Sequence, residues 1–340
     1  MSVQVGEPVA ARDGGGRGRA SVLDRVAGSQ VVWIALVLAA MLVAFGVLRP
    51  HSFATSFNLL NMVGDAAILL LLAVGMTFVI ITSGIDLSVG GVLVFSAVTA
   101  AKAMEAVGAE SGTALWIGPV VAVATGLAWG VLNGSVVAYG RIPALIVTLG
   151  TLGMSLGGAL LITGGVDMRA SSRLNLGLGL DKWLGVPEIV WISAAVTVAL
   201  AVLLAQCRFG RHTYAIGSNT EAARRAGVRV ERQLVKVYAL AGLLAGLAGY
   251  LSLAKYGITG VSAHSTDNLQ AIAAVVIGGT SLFGGVGTVL GTVIGVFIPA
   301  VLQNGFQILG VKPFWQQVVV GAVLIVAVYL DQWRRRAGDH

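Results

Sequence analysis

The 340-residue chain has a single cysteine, Cys207, and four histidines. One thiol excludes an intrachain disulfide and a thiolate metal cluster. His51, His212, His264 and His340 lie far apart in the sequence and have no ligand spacing, so no metal site is predicted. No stretch matches the G-x4-G-K-[ST] pattern, which excludes a Walker A loop for ATP hydrolysis.

Charged residues are also scarce. They make up 11% of the chain, against 56% hydrophobic residues and a mean hydropathy of +0.88. A soluble protein of this length could not hide so much apolar surface, because much of a folded surface must face water. The formal net charge is +7, but the basic residues cluster near the ends of apolar runs. We therefore predict a polytopic membrane protein with no nucleic-acid partner.

Apolar runs long enough to cross a bilayer recur along the chain between polar breaks. They predict an all-α fold with about ten transmembrane helices. The eighth run is short enough for a half-helix, so nine spans are also tenable. The predicted spans are residues 31–48, 58–82, 87–104, 114–138, 143–163, 188–206, 236–256, 269–282, 285–309 and 314–331.

The positions of the basic residues orient these spans. With ten spans and a cytoplasmic N-terminus, most of the 22 basic residues fall on one side of the membrane. This positive-inside bias predicts that both termini are cytoplasmic. The basic residues on that side are Arg12, Arg17, Arg19, Arg25, Arg141, Arg208, Arg211, Arg224, Arg225, Arg229, Arg232, Lys236, Arg334, Arg335 and Arg336.

A carboxylate interrupts the apolar sequence in TSGIDLSVGG, residues 82–91. Asp86 lies between the second and third predicted spans, near their cytoplasmic ends. We expect it to cap the third span by accepting hydrogen bonds from the Ser88 or Val89 amide. The alternative is that its charge gates a pathway. A similar segment, TSLFGGVGTVLG at residues 280–291, joins the eighth and ninth predicted spans.

The longest predicted cytoplasmic loop contains a short helix. Ser218 and Glu221 have the spacing of a capping box, and Gly227 provides a C-terminal stop. A helix of about two turns is too short to be stable alone in water. It therefore rests either on the membrane surface or in a partner protein.

Gly153, Ser155 and Gly157 fit the G-x-S-x-G pattern of a nucleophile elbow. A hydrolase needs a histidine base near that serine, and all four histidines fall in predicted loops or tails. Ser155 is instead expected to be a small residue at a helix contact. No catalytic residue is predicted.

Several blocks together resemble the ribose-type monosaccharide permeases of ABC importers. EAARRAG, residues 221–227, resembles the EAA-x3-G loop by which ABC permeases seat on their ATPase subunits. The resemblance covers about residues 50–331 of the chain. The other matching blocks are NLLNMV at 58–63, GMTFVIITSGIDLSVGG at 75–91, IPALIVTLGTLG at 142–153, LITGG at 161–165, AIAAVVIGGTSLFGGVGTVLGT at 271–292 and LQNGFQILGV…WQQVVVG at 302–321.

Two positions depart from the family pattern. Asn268-Leu269-Gln270 stands where an acidic pair is common, and Asp65 stands where a neutral polar residue is more usual. These departures bear on which substrate is carried and on whether a charge-dependent gate exists. They do not affect the family resemblance.

The resemblance implies the membrane-spanning subunit of an ATP-driven monosaccharide importer in the plasma (inner) membrane of a prokaryote. It implies a homodimer in the lipid bilayer, a cytoplasmic ABC ATPase that uses ATP and Mg, and an extracytoplasmic sugar-binding protein. No cofactor is expected on this chain. The alternatives are a permease for branched-chain amino acids or nucleosides and a proton-coupled secondary transporter, which would need buried carboxylates.

The predicted domains are a disordered cytoplasmic tail (1–30), a transmembrane permease domain (31–331) that includes a cytoplasmic loop with the coupling helix (207–235), and a second cytoplasmic tail (332–340). The candidate ATPase-coupling residues are Asn219, Thr220, Glu221, Ala222, Ala223 and Gly227. Pathway or gate candidates are mainly neutral hydrogen-bonding groups, because sugar hydroxyls carry no charge. They are Asn61, Ser83, Asp86, Ser88, Thr148, Thr280, Ser281 and Asn304.

Overall fold

A computed structural model of the chain describes most of the predicted membrane domain. The predicted tails, apart from Gln30, and the greater part of the tenth predicted span lie outside the described residues. The described residues are 30–108, 111–169, 177–179, 181–260, 264, 266–312, 315, 318, 319, 321, 322, 325 and 329.

The regular secondary structure of the described residues consists of helices and four two-residue strands. The helices are α1 (Gln30–Leu48), α2 (Pro50–Phe53), α3 (Ser56–Ile81), α4 (Val89–Ala106), α5 (Gly112–Ala138), α6 (Ala144–Thr163), α7 (Glu188–Gln206), α8 (Arg208–Ser218), α9 (Thr220–Arg225), α10 (Val230–Tyr256), α11 (Asp267–Ile277) and α12 (Val289–Ile308). The strands are β1 (Met168–Arg169), β2 (Lys182–Trp183), β3 (Val186–Pro187) and β4 (Ile258–Thr259).

Within the described residues, eight helices are long and apolar enough to cross a membrane, namely α1, α3, α4, α5, α6, α7, α10 and α12. They correspond to predicted spans one to seven and nine, so the all-α polytopic fold is confirmed. The eighth predicted span is α11, whose 11 residues are too few to cross a bilayer alone. The total of ten spans and the orientation of the termini stay predictions.

The segment predicted as a cytoplasmic loop with one coupling helix, 207–235, contains more helix than expected. Helices α8 and α9 occupy most of it, and α10 begins at Val230, well before the predicted residue 236. Tertiary contact explains the longer helix. Gln233 is buried, and its amide donates to the Phe209 carbonyl oxygen and the Thr213 hydroxyl, both at 3.0 Å. Gln233 was predicted to lie in a loop because it is polar. In the structure it lies in a helix, and its buried side chain is hydrogen-bonded.

The strands cap the helix ends opposite α8 and α9. β1 pairs with β4 in antiparallel register, and β2 and β3 form a hairpin. The hairpin turns at Leu184 and Gly185, whose φ angles are +53° and +81°. Positive φ at both central residues is the geometry of a type I′ turn.

The core of the fold is built on α3, α4 and α10. α3 is apolar on all sides, and most of its residues from Met62 onward are buried, as expected for a helix surrounded by others. By contrast, α5, α6 and α7 carry large exposed apolar side chains on their outer faces, among them Trp116, Ile146, Leu161 and Val198. These outer faces are suited to lipid, where exposed hydrocarbon carries no cost.

Helices α5 and α10 pack with their backbones in direct contact. Gly126, Gly130 and Gly134, four residues apart on α5, face α10 and its glycines Gly242 and Gly246. A Cβ atom at Gly126 would lie 2.2 Å from the Gly242 carbonyl oxygen. One at Gly130 would lie 2.3 Å from a carbonyl oxygen of α10. Small residues at this spacing permit the close helix approach that stabilises membrane bundles.

We expect Gly130→Leu to disrupt this helix pair, because the added side chain collides with backbone atoms that cannot rotate away. Overpacking of a rigid contact costs about 1–3 kcal/mol or more. Thermal unfolding of the purified protein in detergent measures the effect. Gly46→Leu on α1 is the matched control, since a Cβ there meets nothing within 4 Å. Equal melting temperatures for the two variants would contradict the close-packing role.

Candidate coupling and translocation site

The short helix α9 begins at a side-chain cap. The N-cap is Asn219, whose Oδ1 accepts a hydrogen bond of 2.9 Å from the Ala222 amide. Ser218 was expected to cap this helix through a capping box, and that expectation is wrong because Ser218 is the last residue of α8. Ser218 and Asn219 are adjacent residues that could each cap α9. Because Ser218 belongs to α8, Asn219 is the cap.

The C-terminal end of α9 is a Schellman motif. Gly227 has a φ of +85°, which is the left-handed conformation that glycine adopts without strain. The Val228 amide donates to the Ala223 carbonyl oxygen, and the Gly227 amide donates to the Arg224 carbonyl oxygen, both at 3.0 Å. The predicted stop at Gly227 is confirmed.

Helix α9 is held in place by a small apolar cluster. Ile216 of α8, Ala223 of α9 and Val230 of α10 are buried together, with Val228 and Leu234 packed against them. This contact explains how a six-residue helix persists although it is too short to be stable alone. Ala223 therefore faces the permease-like bundle, and the opposite side of α9 faces outward.

The outward side of α9 carries Glu221 and Ala222, both of which are exposed. Arg224, also exposed, forms ion pairs with Glu231 at 2.6 Å and with Glu221 at 3.6 Å. Exposed ion pairs of this kind contribute about 1 kcal/mol or less. The surface of α9 is therefore charged, exposed and free of a large apolar patch.

The C-terminal part of α8 also lies against two connections between membrane helices, 81–84 and 281–287. The Gly285 amide donates to the Ile81 carbonyl oxygen at 2.9 Å, and the Ser83 hydroxyl donates to the Phe283 carbonyl oxygen at 2.8 Å. The Tyr214 hydroxyl of α8 donates to the Gly287 carbonyl oxygen at 2.6 Å. We name residues 81–84, 214–218 and 281–287 the coupling junction.

The coupling junction leaves no room for a side chain at Gly217. A Cβ atom at Gly217, at the end of α8, would lie 1.7 Å from the Ile81 carbonyl oxygen and 2.6 Å from the Gly285 nitrogen. Three segments distant in sequence thus meet through their main chains. The end of α8 is therefore in direct contact with the end of α3 and with the segment between α11 and α12.

Helices α3 and α11 end in the same way. Each closes with a Schellman pair of hydrogen bonds, and the left-handed position is Ser83 in α3 and Gly279 in α11. The two Thr-Ser pairs of the sequence, Thr82-Ser83 and Thr280-Ser281, are therefore not structurally equivalent. Ser83 corresponds in the structure to Gly279, which lies two residues before Ser281. Ser83 has a φ of +62°, which disfavours a residue with a side chain, and its hydroxyl contact with the second segment offsets that cost.

Asp86 lies in the turn between α3 and α4 and is 1% exposed. Its Oδ1 accepts from the Ser88 amide at 2.9 Å and from the Ser88 hydroxyl at 2.6 Å. The Asn133 amide of α5 donates to the Ser88 hydroxyl at 2.8 Å. Burial raises the pKa of the Asp86 carboxyl above its ordinary value, although the two bonds from Ser88 oppose the shift. The expected bond to the Ser88 amide is present, but the side chain is more deeply buried than an interfacial cap.

The remaining candidates divide between the two ends of the bundle. Thr148, which donates to the Ile85 carbonyl oxygen at 3.2 Å, and the buried Thr280 and Ser281 lie near the coupling junction with Ser83, Asp86 and Ser88. Asn61 and Asn304 lie toward the opposite end. Asn304 and Asn58 exchange two side-chain hydrogen bonds, at 2.8 and 2.9 Å, whereas the Asn61 side chain is exposed.

The sequence analysis missed two features of the structure. Tyr214 reads as an ordinary loop aromatic, and only the fold places its hydroxyl on the coupling junction. Ser252, His264 and Asp267 form a hydrogen-bonded chain, with both contacts to His264 at 2.7 Å. This arrangement resembles a hydrolase triad, but Ser252 lies inside α10, where the backbone amides are engaged in the helix and cannot form an oxyanion hole.

Ser155 is at a helix contact, as expected. Its hydroxyl donates to the Leu152 carbonyl oxygen at 3.0 Å and lies against Gly91 of α4. In the part of the chain that the structure describes, no group of three or more histidine, cysteine or acidic side chains is arranged to hold a metal ion.

Comparison with known proteins identifies the family to which this architecture belongs. The family profile described as "Branched-chain amino acid transport system / permease component" matches residues 58–328. The ribose import permease protein RbsC of Escherichia coli (strain K12) is 39% identical over 300 residues, which cover 87% of this chain and 92% of that protein. The chain belongs to the ribose-type ABC permease family.

Other relatives in the family have different named solutes. RbsC of Bacillus subtilis (strain 168), a ribose import permease protein, is 40% identical over 86% of this chain and 89% of its own length. The fructose import permease protein FrcC of Rhizobium meliloti is 33% identical over 88% of this chain and 85% of its own length. No solved structure matches the permease.

We expect Ala222 and Ala223 of the permease to respond differently to the same substitution. Ala222→Leu changes the exposed side of α9 and should weaken copurification of a partner ATPase while the melting temperature stays unchanged. Ala223→Leu enlarges a side chain that is 4% exposed and should lower the melting temperature, since overpacking costs about 1–3 kcal/mol. Loss of copurification in neither variant would contradict a docking role for α9.

We expect Asp86→Asn in the permease to be mild, because the amide oxygen still accepts from Ser88. Asp86→Ala should destabilise the fold by about 1–3 kcal/mol, because it leaves buried donors unpaired. Thermal unfolding and solute uptake are measured together. Loss of uptake in Asp86→Asn with an unchanged melting temperature would show instead that the charge acts as a gate.

Proposed function

We propose that this permease forms the translocation pathway of an ATP-driven importer for a monosaccharide and couples to a separate ABC ATPase through α9. The observation that carries the proposal is the continuous contact from α9 through α8 to the coupling junction. The exposed side of α9 is available to a partner, and the buried side is joined to the membrane helices.

The coupling would proceed through main-chain contacts. Closure of the ATPase on ATP and Mg would displace α9, and α8 would move with it because both share the apolar cluster. Tyr214 and Gly217 would then shift the ends of α3 and the segment before α12. Such breaks between helices are the elements that alternate in transporters of many folds.

The family assignment supports a proposal for the remaining components. We propose a homodimer of permease chains in the bacterial inner membrane, with both termini in the cytoplasm, and a sugar-binding protein on the opposite side. The permease binds no cofactor in this proposal, and nucleotide chemistry belongs to the ATPase. The relatives named for ribose and fructose support a monosaccharide as the solute.

A branched-chain amino acid is the second candidate solute, favoured by the description of the family profile. It differs from a sugar in carrying two charged groups. The test below therefore includes both solutes.

The decisive experiment reconstitutes the permease in proteoliposomes with its ATPase and solute-binding protein. We expect ribose or fructose uptake that requires all three proteins and ATP, and no uptake on ADP. Leucine is measured in parallel, and uptake of leucine alone would replace the sugar with the second candidate. Uptake by the permease alone, driven by a pH gradient, would overturn the proposal in favour of a secondary transporter.

A further inference from the structure

A polar cavity lies at the end of the bundle opposite the coupling junction. Its volume is about 380 Å³, and α3, α10, α11 and α12 enclose it together with the residues just before α11. The coupling mechanism described above makes no use of it. Asn304 is the one predicted pathway residue in its lining.

One side of the cavity carries neutral amides. Gln303 and Gln307, four residues apart on α12, lie on the same face of that helix, and Gln270 of α11 joins them. Among the described residues, the side chains of Gln303 and Gln307 have no hydrogen-bond partner. Each amide presents donors and an acceptor, so this side suits a solute whose groups both donate and accept.

The acidic groups of the cavity are already paired. Asp65 accepts from the Lys255 ammonium group and from the Tyr256 hydroxyl, the latter at 2.6 Å. Asp267 is hydrogen-bonded to His264 at 2.7 Å. Local partners thus engage both carboxylates, and the cavity provides no unpaired cluster of charge for a cation or a zwitterion.

The lining also contains apolar side chains. They are Met62, Ala66 and Leu69 of α3 and Ala300 of α12. A lining that combines apolar side chains with neutral amides matches a sugar, whose ring has a C–H face and a rim of hydroxyl groups. The volume also exceeds what a single water or ion needs.

Helices connect this cavity to the coupling junction. Along α3, sixteen residues separate Asp65 from Ile81, which corresponds to about 24 Å at 1.5 Å per residue. Along α12, sixteen residues separate Thr288 from Asn304, again about 24 Å. α11 links the same two places, since Asp267 begins it and the junction follows its end. A shift at the junction therefore reaches the lining on three helices at once.

We propose that this cavity is a transient binding site for a neutral polyhydroxy solute of monosaccharide size, with Gln303 and Gln307 as its principal hydrogen-bonding side chains. The identity of the solute as transport substrate rests on the proposed function. The site itself rests on the geometry of the cavity.

The test of binding uses cysteine accessibility, for which the chain is well suited because Cys207 is its single cysteine. Gln303→Cys is made in a Cys207→Ser background of the full chain in nanodiscs. A charged thiol reagent is applied with and without ribose, fructose or leucine. We expect labelling that ribose or fructose slows about tenfold, because an occupied site excludes the reagent, and that leucine leaves unchanged.

Leu184→Cys in the same background is the accessibility control. Leu184 is exposed in the β2–β3 hairpin and lies outside the cavity lining, so sugar should not protect it. Protection by leucine in place of sugars would overturn the polyhydroxy class. Absence of protection by either sugar would overturn the site.

A second arm measures ATP-driven uptake. The double variant Gln303→Leu with Gln307→Leu should lower uptake about tenfold or more, because lost hydrogen-bond partners weaken solute binding, with copurification of the ATPase unchanged. Gln206→Leu is the matched control. Gln206 is exposed at the end of α7, and its backbone contact with Arg211 does not depend on its side chain.

The two arms separate the site from the proposed function. Sugar protection of Gln303→Cys without ATP-driven uptake would support the site and refute the importer. Normal ATP-driven sugar uptake in the double variant, without protection of Gln303→Cys, would support the importer and overturn the site.

Discussion

The hydrogen bonds that join the segments following α3 and α11 support the rest of this structure. Where these two helices end, the backbone is largely buried, so their last carbonyl groups and the following amides need partners. Each break closes on itself with a Schellman motif, and the two are then joined by the Gly285 amide and the Ser83 hydroxyl. Helix α8, which packs against these linked segments, must fit around the hydrogen bonds between them.

The absence of side chains at particular glycines makes the joint possible. Gly217 permits α8 to contact the Ile81 carbonyl oxygen, and Gly126 permits α5 to contact α10. Backbone contacts of this kind have little freedom to adjust. A small movement of α8 is therefore expected to be passed on rather than absorbed, which is the mechanical property that a coupling element needs.

Helix α9 has one buried side and one exposed side. Ala223 lies in the apolar cluster with Ile216 and Val230, whereas Glu221 and Ala222 are outside it. The segment that resembles the EAA-x3-G pattern thus combines an exposed side, which the proposed function assigns to the ATPase, with a buried side that anchors it to the bundle. Asn219 and Gly227 close the two ends of the helix, so that six residues suffice.

The sequence by itself determined the membrane class, the approximate limits of most spans, the stop at Gly227 and the family resemblance. These features depend on local hydrophobicity, on glycine conformation and on short contiguous motifs. The tertiary structure decided which residue caps α9, how far α10 extends, and that Tyr214, Ser83 and Gly285 meet. It also formed the polar cavity from α3, α11 and α12. Those outcomes depend on hydrogen bonds and packing between segments that lie as many as 246 residues apart, which no local pattern encodes.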